Sequence, residues 1–268
     1  MPAETRRARF AELHAREQLF VMPNPWDVGS ARILAALGFE ALATTSAGFA
    51  WVLGKLDTQV TRDELVRHVA EIAPATDLPL NVDSERCYPD EPGGVAETVR
   101  LLGEAGAAGC SIEDWNPATG RIDDVGLATE RVAEAAAAAR AFDPPLVLTG
   151  RAENHLHGID DLDDTIARLV AYRDAGADCV YAPWLSTSAQ ISAVVDAVGV
   201  PVNVLATPAV PPLQELAGLG VRRVSTGSLL AGVAYGALAA AARELHAGST
   251  STYATDRLTE DDKQAAFA

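Results

Sequence analysis

Cysteine, aromatic and basic residues are all scarce in this chain of 268 residues. The three cysteines (Cys87, Cys110 and Cys179) are odd in number and widely spaced, which argues against a disulfide framework or a zinc site and favours reduced thiols. Lys and Arg number 21 against 37 Asp and Glu, which gives a net charge of −16. Because nucleic-acid binding requires basic patches, this balance disfavours nucleic acid as a partner.

Long apolar runs are also missing. No stretch of about 18 uninterrupted apolar residues occurs, which disfavours a membrane span. The opening stretch, MPAETRRARF, lacks the apolar segment of a secretory signal, so we expect a cytoplasmic protein that does not contact membranes. The hydrophobic content of 49% is nevertheless enough for one large core, in the size range of a one-domain α/β barrel.

Eight short apolar runs, each followed by a helical stretch rich in Ala and Leu, recur along the chain. Continuous apolar strands that alternate with helices indicate a parallel sheet covered on its outer face. Eight such units predict a closed (β/α)₈ barrel, also called a TIM barrel. The runs span residues 19–25, 40–46, 78–83, 109–114, 145–151, 178–184, 201–207 and 222–227.

An open, doubly wound sheet is the alternative architecture. It usually has fewer strands, and no glycine-rich phosphate fingerprint follows the first run here. We therefore expect a single barrel domain over residues 1–247. Residues 248–268 form a polar stretch that is either a loosely packed tail or an arm that crosses to a neighbouring subunit.

Acidic side chains concentrate where the third to fifth predicted strands end. Asp83 closes the third run and Glu85 follows it, Glu113 lies near the end of the fourth, and Glu153 follows the fifth. In an extended chain Asp83 and Glu85 would point to one face, roughly 6.5–7 Å apart, with Glu113 about 5 Å to the side. Since the carboxyl ends of barrel strands carry the chemistry, the pattern predicts a carboxylate cluster at the barrel mouth.

Converging carboxylates without a cation would repel one another and raise their pKa values. A hard divalent cation removes this conflict, because Mg²⁺ accepts one or two carboxylates directly and keeps waters that the others hold. We predict Mg²⁺, with Mn²⁺ as an alternative, at Asp83, Glu85 and Glu113. Asp57, at the far end of the loop after the second strand, is a further candidate. Taken singly, Asp57 and Glu153 are interpreted equally well as structural residues, such as helix caps, and as functional residues.

Arg151 ends an otherwise apolar run and has two interpretations. It could form a salt bridge with Glu153 or Glu113 at the barrel mouth. Alternatively, its guanidinium could grip a substrate carboxylate beside the metal.

Backbone amides after the second strand form a second candidate anion site. The N–H groups of Ser46, Ala47 and Gly48 could hold anionic substrate oxygens, although this signal is weak alone. Asn203, at the end of the seventh strand, is a further candidate for substrate binding. His155 and His157 are predicted to be exposed loop histidines.

Several strand-end motifs together resemble those of the isocitrate lyase/phosphoenolpyruvate mutase superfamily over roughly residues 5–245. The combination of Asp-x-Glu, Ile-Glu-Asp and Arg is specific, although each piece alone is weak. The matching stretches are PNPWDVGSARIL, TTSAGFAWVLGKLD, LPLNVDSERCY, GCSIEDW, LTGRAENHL and GVRRVSTGSLL.

This resemblance implies a (β/α)₈ barrel that binds Mg²⁺ and handles an α-oxo acid or its enolate. By position, Asp83 would ligate the metal directly, whereas Asp57, Glu85 and Glu113 would act mostly through metal-bound water. Arg151 and the amides of residues 46–48 would bind carboxylate and enolate oxygens. The resemblance also implies a homodimer or homotetramer, often with the last helix exchanged between subunits.

The chain departs from the superfamily pattern in one loop. Carbon–carbon lyases of the superfamily carry a Lys-Lys/Arg-Cys-Gly-His segment after the Ile-Glu-Asp strand, and its Cys takes part in proton transfer. The corresponding stretch here, WNPATGRIDDVGLA, contains no Lys, Cys or His. Cys87 lies elsewhere and is best interpreted as a small filler residue.

The leading functional hypothesis is an Mg²⁺-dependent carbon–carbon lyase for an α-oxo or α-hydroxy di- or tricarboxylate, with Arg151, Asp57 and Glu113 as its catalytic residues. Isocitrate or 2-methylisocitrate cleavage is one version. Decarboxylation of oxaloacetate is an alternative that suits the missing loop acid, because CO₂ leaves without protonation. Phosphonate P–C chemistry and a weakly active or non-catalytic oxo-acid-binding protein are the remaining alternatives.

Overall fold

Eight parallel strands form one sheet in a computed structural model that describes residues 1–268. The strands of this sheet are β1 (Phe20–Met22), β2 (Leu42–Ala43), β3 (Leu80–Asp83), β4 (Gly109–Glu113), β7 (Val147–Arg151), β8 (Cys179–Tyr181), β9 (Val202–Leu205) and β10 (Arg223–Ser225). Their order across the sheet is β1-β10-β9-β8-β7-β4-β3-β2, and every pairing is parallel. Each predicted apolar run contains one of these strands.

The two edge strands, β1 and β2, are brought together by hydrogen bonds just beyond the end of β1. The Ala43 N–H donates to the Pro23 carbonyl at 3.0 Å, and the Asn24 side-chain amide donates to the Thr44 carbonyl at 2.7 Å. The sheet is therefore nearly closed. The (β/α)₈ prediction is confirmed, and the open-sheet alternative is wrong.

Helices cover the outer face and one end of the sheet. They are α1 (Ala3–Ala15), α2 (Val28–Ala36), α3 (Ser46–Val52), α4 (Arg62–Ile72), α5 (Gly94–Glu104), α6 (Val125–Ala139), α7 (Leu162–Asp174), α8 (Ser188–Val198), α9 (Leu213–Gly218), α10 (Leu229–His246) and α11 (Glu260–Phe267), with a 3₁₀ turn at Ala73–Ala75. Several begin at a side-chain cap, such as Thr61 before α4 and Thr187 before α8. None of the helices combines the length and apolarity needed to cross a membrane.

Alternation along the strands separates two environments. Outward-facing residues such as Val82, Ile112 and Leu148 are fully buried against the helices and form the main hydrophobic core. Inward-facing residues at neighbouring positions of the same strands are polar, as at Ser111 and Thr149. The period of two residues in a strand therefore gives this barrel an apolar outer face and a polar interior.

Helix α1, which the apolar-run pattern did not predict, supplies the apolar part of the interior. Its Phe10 and Leu13 are buried in a separate cluster with Phe20 and Met22 of β1 and with Val147 at the start of β7. Since Val147 marks the amino-terminal end of its strand, α1 covers the end of the barrel opposite the strand ends that carry the acidic residues.

Two further elements differ from the prediction. A hairpin of strands β5 (Trp115–Asn116) and β6 (Arg121–Ile122) occupies the expected loop after β4. The polar stretch 248–268, expected to be a loosely packed tail or an arm to a neighbouring subunit, contains helix α11, which lies against α2 of the same chain. The Thr259 side chain accepts from the Asp262 N–H, and the Asp262 carboxylate reaches back to Thr259, so a reciprocal cap starts this helix. Exchange of the last helix between subunits stays a prediction.

Truncation of Phe10 tests the role of α1. Phe10 has no solvent exposure, so Phe10→Ala removes a buried ring and leaves a cavity. We expect the free energy of unfolding, measured by urea denaturation, to fall by about 3–5 kcal/mol. Leu37→Ala, at a site with 66% exposure, is the matched control and should change it by less than about 0.5 kcal/mol. Equal effects of the two substitutions would show that α1 is dispensable.

Candidate active site

Arg151, the last residue of β7, stands at the centre of the acidic strand ends. Its Nη1 lies 3.2 Å from Glu113 Oε2 and 3.4 Å from Asp83 Oδ1, and its Nε donates to Glu153 Oε1. Glu113 is its register partner on the adjacent strand, β4. The predicted salt bridge at the barrel mouth is therefore present, and it includes a third carboxylate, that of Asp83.

Arg151 is firmly held in its protonated, positively charged form. Burial lowers the pKa of the guanidinium, but the carboxylates of Glu153, Glu113 and Asp83 outweigh that effect and raise it well above its usual value. The Tyr181 ring lies beside it, with its centroid 5.4 Å from the guanidinium carbon. The hydrogen bonds of Arg151 within the protein come from Nε and Nη1, so Nη2 remains able to bind a ligand.

Asp83 is held by backbone and side-chain contacts from the end of β2. Its Oδ2 accepts the Ser46 N–H at 3.1 Å, and its own N–H donates to Thr44 Oγ1 at 2.9 Å. Its side chain is 17% exposed. This carboxylate therefore has a fixed position at the entrance to the barrel and can still be reached by solvent or a ligand.

Glu85 is not placed by strand geometry as expected. β3 ends at Asp83, and Glu85 has a φ of 49°, so the two carboxylates are not related by the spacing of an extended chain. Cys87 and Tyr88 also have positive φ values of 57° and 47°. Three such residues in a short segment represent backbone strain of a kind that is concentrated at functional sites. The Glu113 N–H donates to the Glu85 carbonyl at 2.9 Å and anchors this turn to β4.

Three of the site carboxyl groups are poorly compensated. Burial, with Asp83 and Asp57 nearby, raises the pKa of Glu85 to about 8. Burial also raises the pKa of Glu113 well above its usual value. The nearby carboxylates add to this effect, and Arg151 only partly opposes it. The pKa of Asp57 is raised by burial of its carboxyl group and by Asp83, although the residue lies on an exposed loop. One arginine does not neutralise this cluster.

Two adjoining cavities connect these groups. The larger one, about 220 Å³, is lined by Ser46, Ala47, Asp57, Asp83 and Arg151 at its mouth and continues into the barrel interior. The smaller one, about 80 Å³, is lined by Ser46, Asp57, Glu85, Glu113, Arg151, Glu153 and His157 among others. The structure thus places all four predicted metal-binding carboxylates around two neighbouring cavities that share Ser46, Asp57, Arg151 and Leu156.

The predicted substrate amides do not all reach the cavities. The Gly48 N–H donates to Thr45 Oγ1 at 3.3 Å as a helix cap, and Gly48 lines neither cavity. A Cβ at this position would lie 2.5 Å from the Thr45 methyl carbon, so the glycine is required by packing. Asn203 lines the larger cavity, but its side chain is bonded to Ser225 and Arg223.

The donor set fits a hard divalent cation. No three His, Cys, Asp or Glu side chains form a ready-made metal cluster. Mg²⁺ does not require one, because it takes one or two carboxylates and keeps several waters. Accessible Asp83 beside the poorly compensated carboxyl groups of Glu85 and Asp57 supplies oxygen donors of that kind. A zinc or iron site would need nitrogen or sulfur ligands that this group lacks.

Sequence reasoning gave too little weight to Glu153 and His157. Glu153 is 1% exposed, and its Oε2 lies 3.5 Å from His157 Nε2. The His157 ring stacks on Trp115 of the hairpin, with ring centroids 3.4 Å apart. The side chain of His155 is only 6% exposed, contrary to the expectation for a loop histidine. Glu153 lies only two residues after Arg151, and this spacing could have predicted their ion pair. The contact between Trp115 and His157 could not be predicted, because it forms only when the two loops fold together.

Cys87 is fully buried, and burial raises the pKa of its thiol to about 12. A thiol in this state is a poor nucleophile or acid. The interpretation of Cys87 as a filler residue agrees with this environment.

A sequence profile for phosphoenolpyruvate phosphomutase matches residues 10–246. The chain belongs to the phosphoenolpyruvate phosphomutase family. The superfamily resemblance predicted from the strand-end motifs is thereby confirmed. Enzymes of this superfamily generally use a divalent metal, typically Mg²⁺.

Three relatives illustrate how far the family likeness extends. An uncharacterized protein of Mycobacterium tuberculosis is 34% identical over 89% of both chains. An oxaloacetate decarboxylase of Paraburkholderia xenovorans is 35% identical over 84% of this chain and 76% of its own length. A crystal structure from Burkholderia cenocepacia, provisionally described as a lyase/mutase, superposes with a TM-score of 0.94 at 48% identity and covers 99% of this chain and 96% of its own.

Removal of the Asp83 carboxylate tests metal binding by this member of the phosphoenolpyruvate phosphomutase family. A ligand that binds only the folded state raises the melting temperature, so MgCl₂ should stabilise the wild-type protein in a thermal melt. We expect Asp83→Ala to abolish that shift. Asp90→Ala, whose carboxylate is 89% exposed on the same turn, should retain it. An undiminished Mg²⁺ effect in Asp83→Ala would show that Asp83 is not a ligand.

The raised pKa of Glu85 predicts a pH effect in the metal-free protein. The folded state holds this proton up to about pH 8, whereas the unfolded chain releases it near its usual value of about 4.5. Stability should therefore fall as pH rises between these values, by about 1–3 kcal/mol in free energy of unfolding. The measurement is urea denaturation at pH 5.5 and 8.5 with a chelator present.

Glu85→Gln, which mimics the protonated group, should flatten this dependence, whereas Glu91→Gln on the exposed part of the same loop should not. If Glu85→Gln leaves the slope against pH unchanged, Glu85 is not the group responsible.

Proposed function

We propose that this protein is an Mg²⁺-dependent carbon–carbon lyase that cleaves an α-oxo or α-hydroxy di- or tricarboxylate through a metal-stabilised enolate. The observation that carries the proposal is that the charged Arg151 guanidinium lies among poorly compensated carboxyl groups around two adjoining cavities. Such a site favours both a divalent cation and an anionic substrate. Membership of a family whose named relatives include an oxaloacetate decarboxylase and a probable 2-methylisocitrate lyase supports the same reaction class.

The chain's own residues would position the substrate. The free Nη2 of Arg151 can donate to a substrate carboxylate or to the oxygen on which negative charge develops. Ser46 and Ala47 also line the mouth. Mg²⁺, held by Asp83 and through water by Glu85, Glu113 and Asp57, would supply Lewis-acid stabilisation of that charge.

Decarboxylation of oxaloacetate is the specific version that the hairpin favours. The segment after β4 forms strands β5 and β6 and presents no Cys, Lys or His that could donate a proton. When the C3–C4 bond of oxaloacetate breaks, its electron pair passes to the enolate and CO₂ departs without needing a proton. The enolate of pyruvate can then be protonated by water. Aldol-type cleavage of isocitrate requires more proton transfer, and so depends more on the acid–base side chain that this chain lacks in the segment after β4.

We also propose that the protein acts in the cytoplasm as a homodimer or homotetramer, without nucleic-acid or membrane partners. In support, α10 leaves Val233 and Leu238 exposed at 71% and 63%, and these side chains would be covered by a second subunit.

The direct test is an assay with MgCl₂ on oxaloacetate, isocitrate, 2-methylisocitrate and a phosphonate analogue of an oxo acid. We expect Mg²⁺-dependent release of CO₂ and pyruvate from oxaloacetate. Arg151→Lys, which loses the planar fork, should lower kcat/KM by about 10²-fold. Arg121→Lys on the exposed hairpin is the control and should leave kcat/KM unchanged.

Glyoxylate or succinate as the main product would favour the aldol version, and phosphate would favour phosphonate chemistry. Mg²⁺-dependent binding with no product would rule out an enzyme for these substrates.

A further inference from the structure

A second arginine, Arg223, is buried inside the barrel with no acidic partner. It lies at the start of β10, is 2% exposed and forms no ion pair. Its Nε donates to Asn203 Oδ1 at 2.9 Å, and its Nη2 donates to Thr149 Oγ1 at 3.0 Å. Both acceptors are neutral, so these contacts orient the guanidinium without cancelling its charge.

The third partner is also neutral. Arg223 Nη1 lies 3.1 Å from His14 Nε2, and His14 Nδ1 lies 2.8 Å from the Phe10 carbonyl. A carbonyl can only accept, so Nδ1 carries the proton and Nε2 accepts from Arg223. Burial and the adjacent guanidinium lower the pKa of His14 to about 3, which agrees with a neutral ring. Burial of a cation without a counter-charge is unfavourable unless an anion reaches it.

The cavity of the candidate active site leads to this guanidinium. Arg223 and Asn203 line the same 220 Å³ cavity whose mouth is formed by Asp83 and Arg151. Thr149 and Arg151 are two residues apart on β7 and face the interior together, so Arg223 contacts a layer about 7 Å below the Arg151 backbone. An elongated ligand at the mouth can therefore reach a cation at the floor.

We propose that Arg223 forms an anion subsite at the floor of this cavity, which binds the distal carboxylate of a dicarboxylate ligand. The proximal carboxylate and its neighbouring oxygen bind at the mouth beside Arg151. Two cations in successive layers of one cavity match a ligand with a carboxylate at each end. This inference rests on the proposed function for the placement of the proximal group, and it selects dicarboxylates over monocarboxylates.

Malate and lactate test the subsite, because malate differs from lactate only by an added distal carboxylate. Affinities of both enantiomers of each are measured by calorimetry on the full chain with MgCl₂ present. The wild-type protein should bind one malate enantiomer about 10- to 100-fold more tightly than either lactate, as expected for a charge-assisted contact. Equal affinities for malate and lactate in the wild-type protein would overturn the proposal without any variant.

Arg223→Met removes the charge and retains much of the side-chain length. It should lower malate affinity to the level of lactate and leave lactate affinity unchanged. Arg222→Met is the matched control, since Arg222 is the adjacent residue, lines neither cavity and bonds to the Gly220 carbonyl. It should preserve the preference for malate. If folded Arg223→Met retains that preference, or if both substitutions remove it equally, Arg223 is not the subsite.

These measurements also separate this inference from the proposed lyase activity. Loss of malate preference in Arg223→Met supports the subsite even if the wild-type protein cleaves no substrate tested. Conversely, carbon–carbon cleavage by a protein whose malate preference ignores Arg223 supports the lyase and rejects the subsite.

Discussion

The ion pairs of Arg151 with carboxylates from three parts of the barrel rim hold the candidate site together. Glu113 and Asp83 come from the ends of β4 and β3, and Glu153 follows β7, so one guanidinium joins three segments of the rim. A single positive charge cannot balance these groups together with Glu85 and Asp57. The remaining negative charge is the physical reason why the site favours a divalent cation.

Polar and charged side chains also determine the arrangement of the barrel interior. The outward-facing side of each strand forms the hydrophobic core, which frees the inward-facing side for polar residues. Arg151 and Arg223 then occupy successive layers, the first with carboxylates and the second with only neutral partners. Helix α1 covers the opposite end of the barrel with Phe10 and Leu13. The fold therefore encloses a polar cavity with one open end.

Most of the fold could be predicted from the sequence because its signals are local. The apolar runs and helical stretches have lengths and spacings that only an alternating β/α architecture accommodates, and helices such as α4 and α8 begin at capping residues, Thr61 and Thr187, that are visible in the sequence. Helix α1 was missed because its sequence is mostly polar, and its few buried side chains can be recognised only once the strand ends that they pack against are known. Helix α11 was missed because its cap lies in a polar stretch without apolar periodicity.

The sequence by itself determined the barrel, the family and the choice of Asp83, Glu113 and Arg151, since strand-end position and residue type are readable from a linear chain. Tertiary structure alone decided how the charges are shared. It placed Glu85 on a strained turn instead of a strand, committed the Gly48 amide to a helix cap, and left Arg223 buried without an acid. The reason is physical: burial and pairing depend on which side chains the closed sheet brings face to face, and those partners are far apart in the chain.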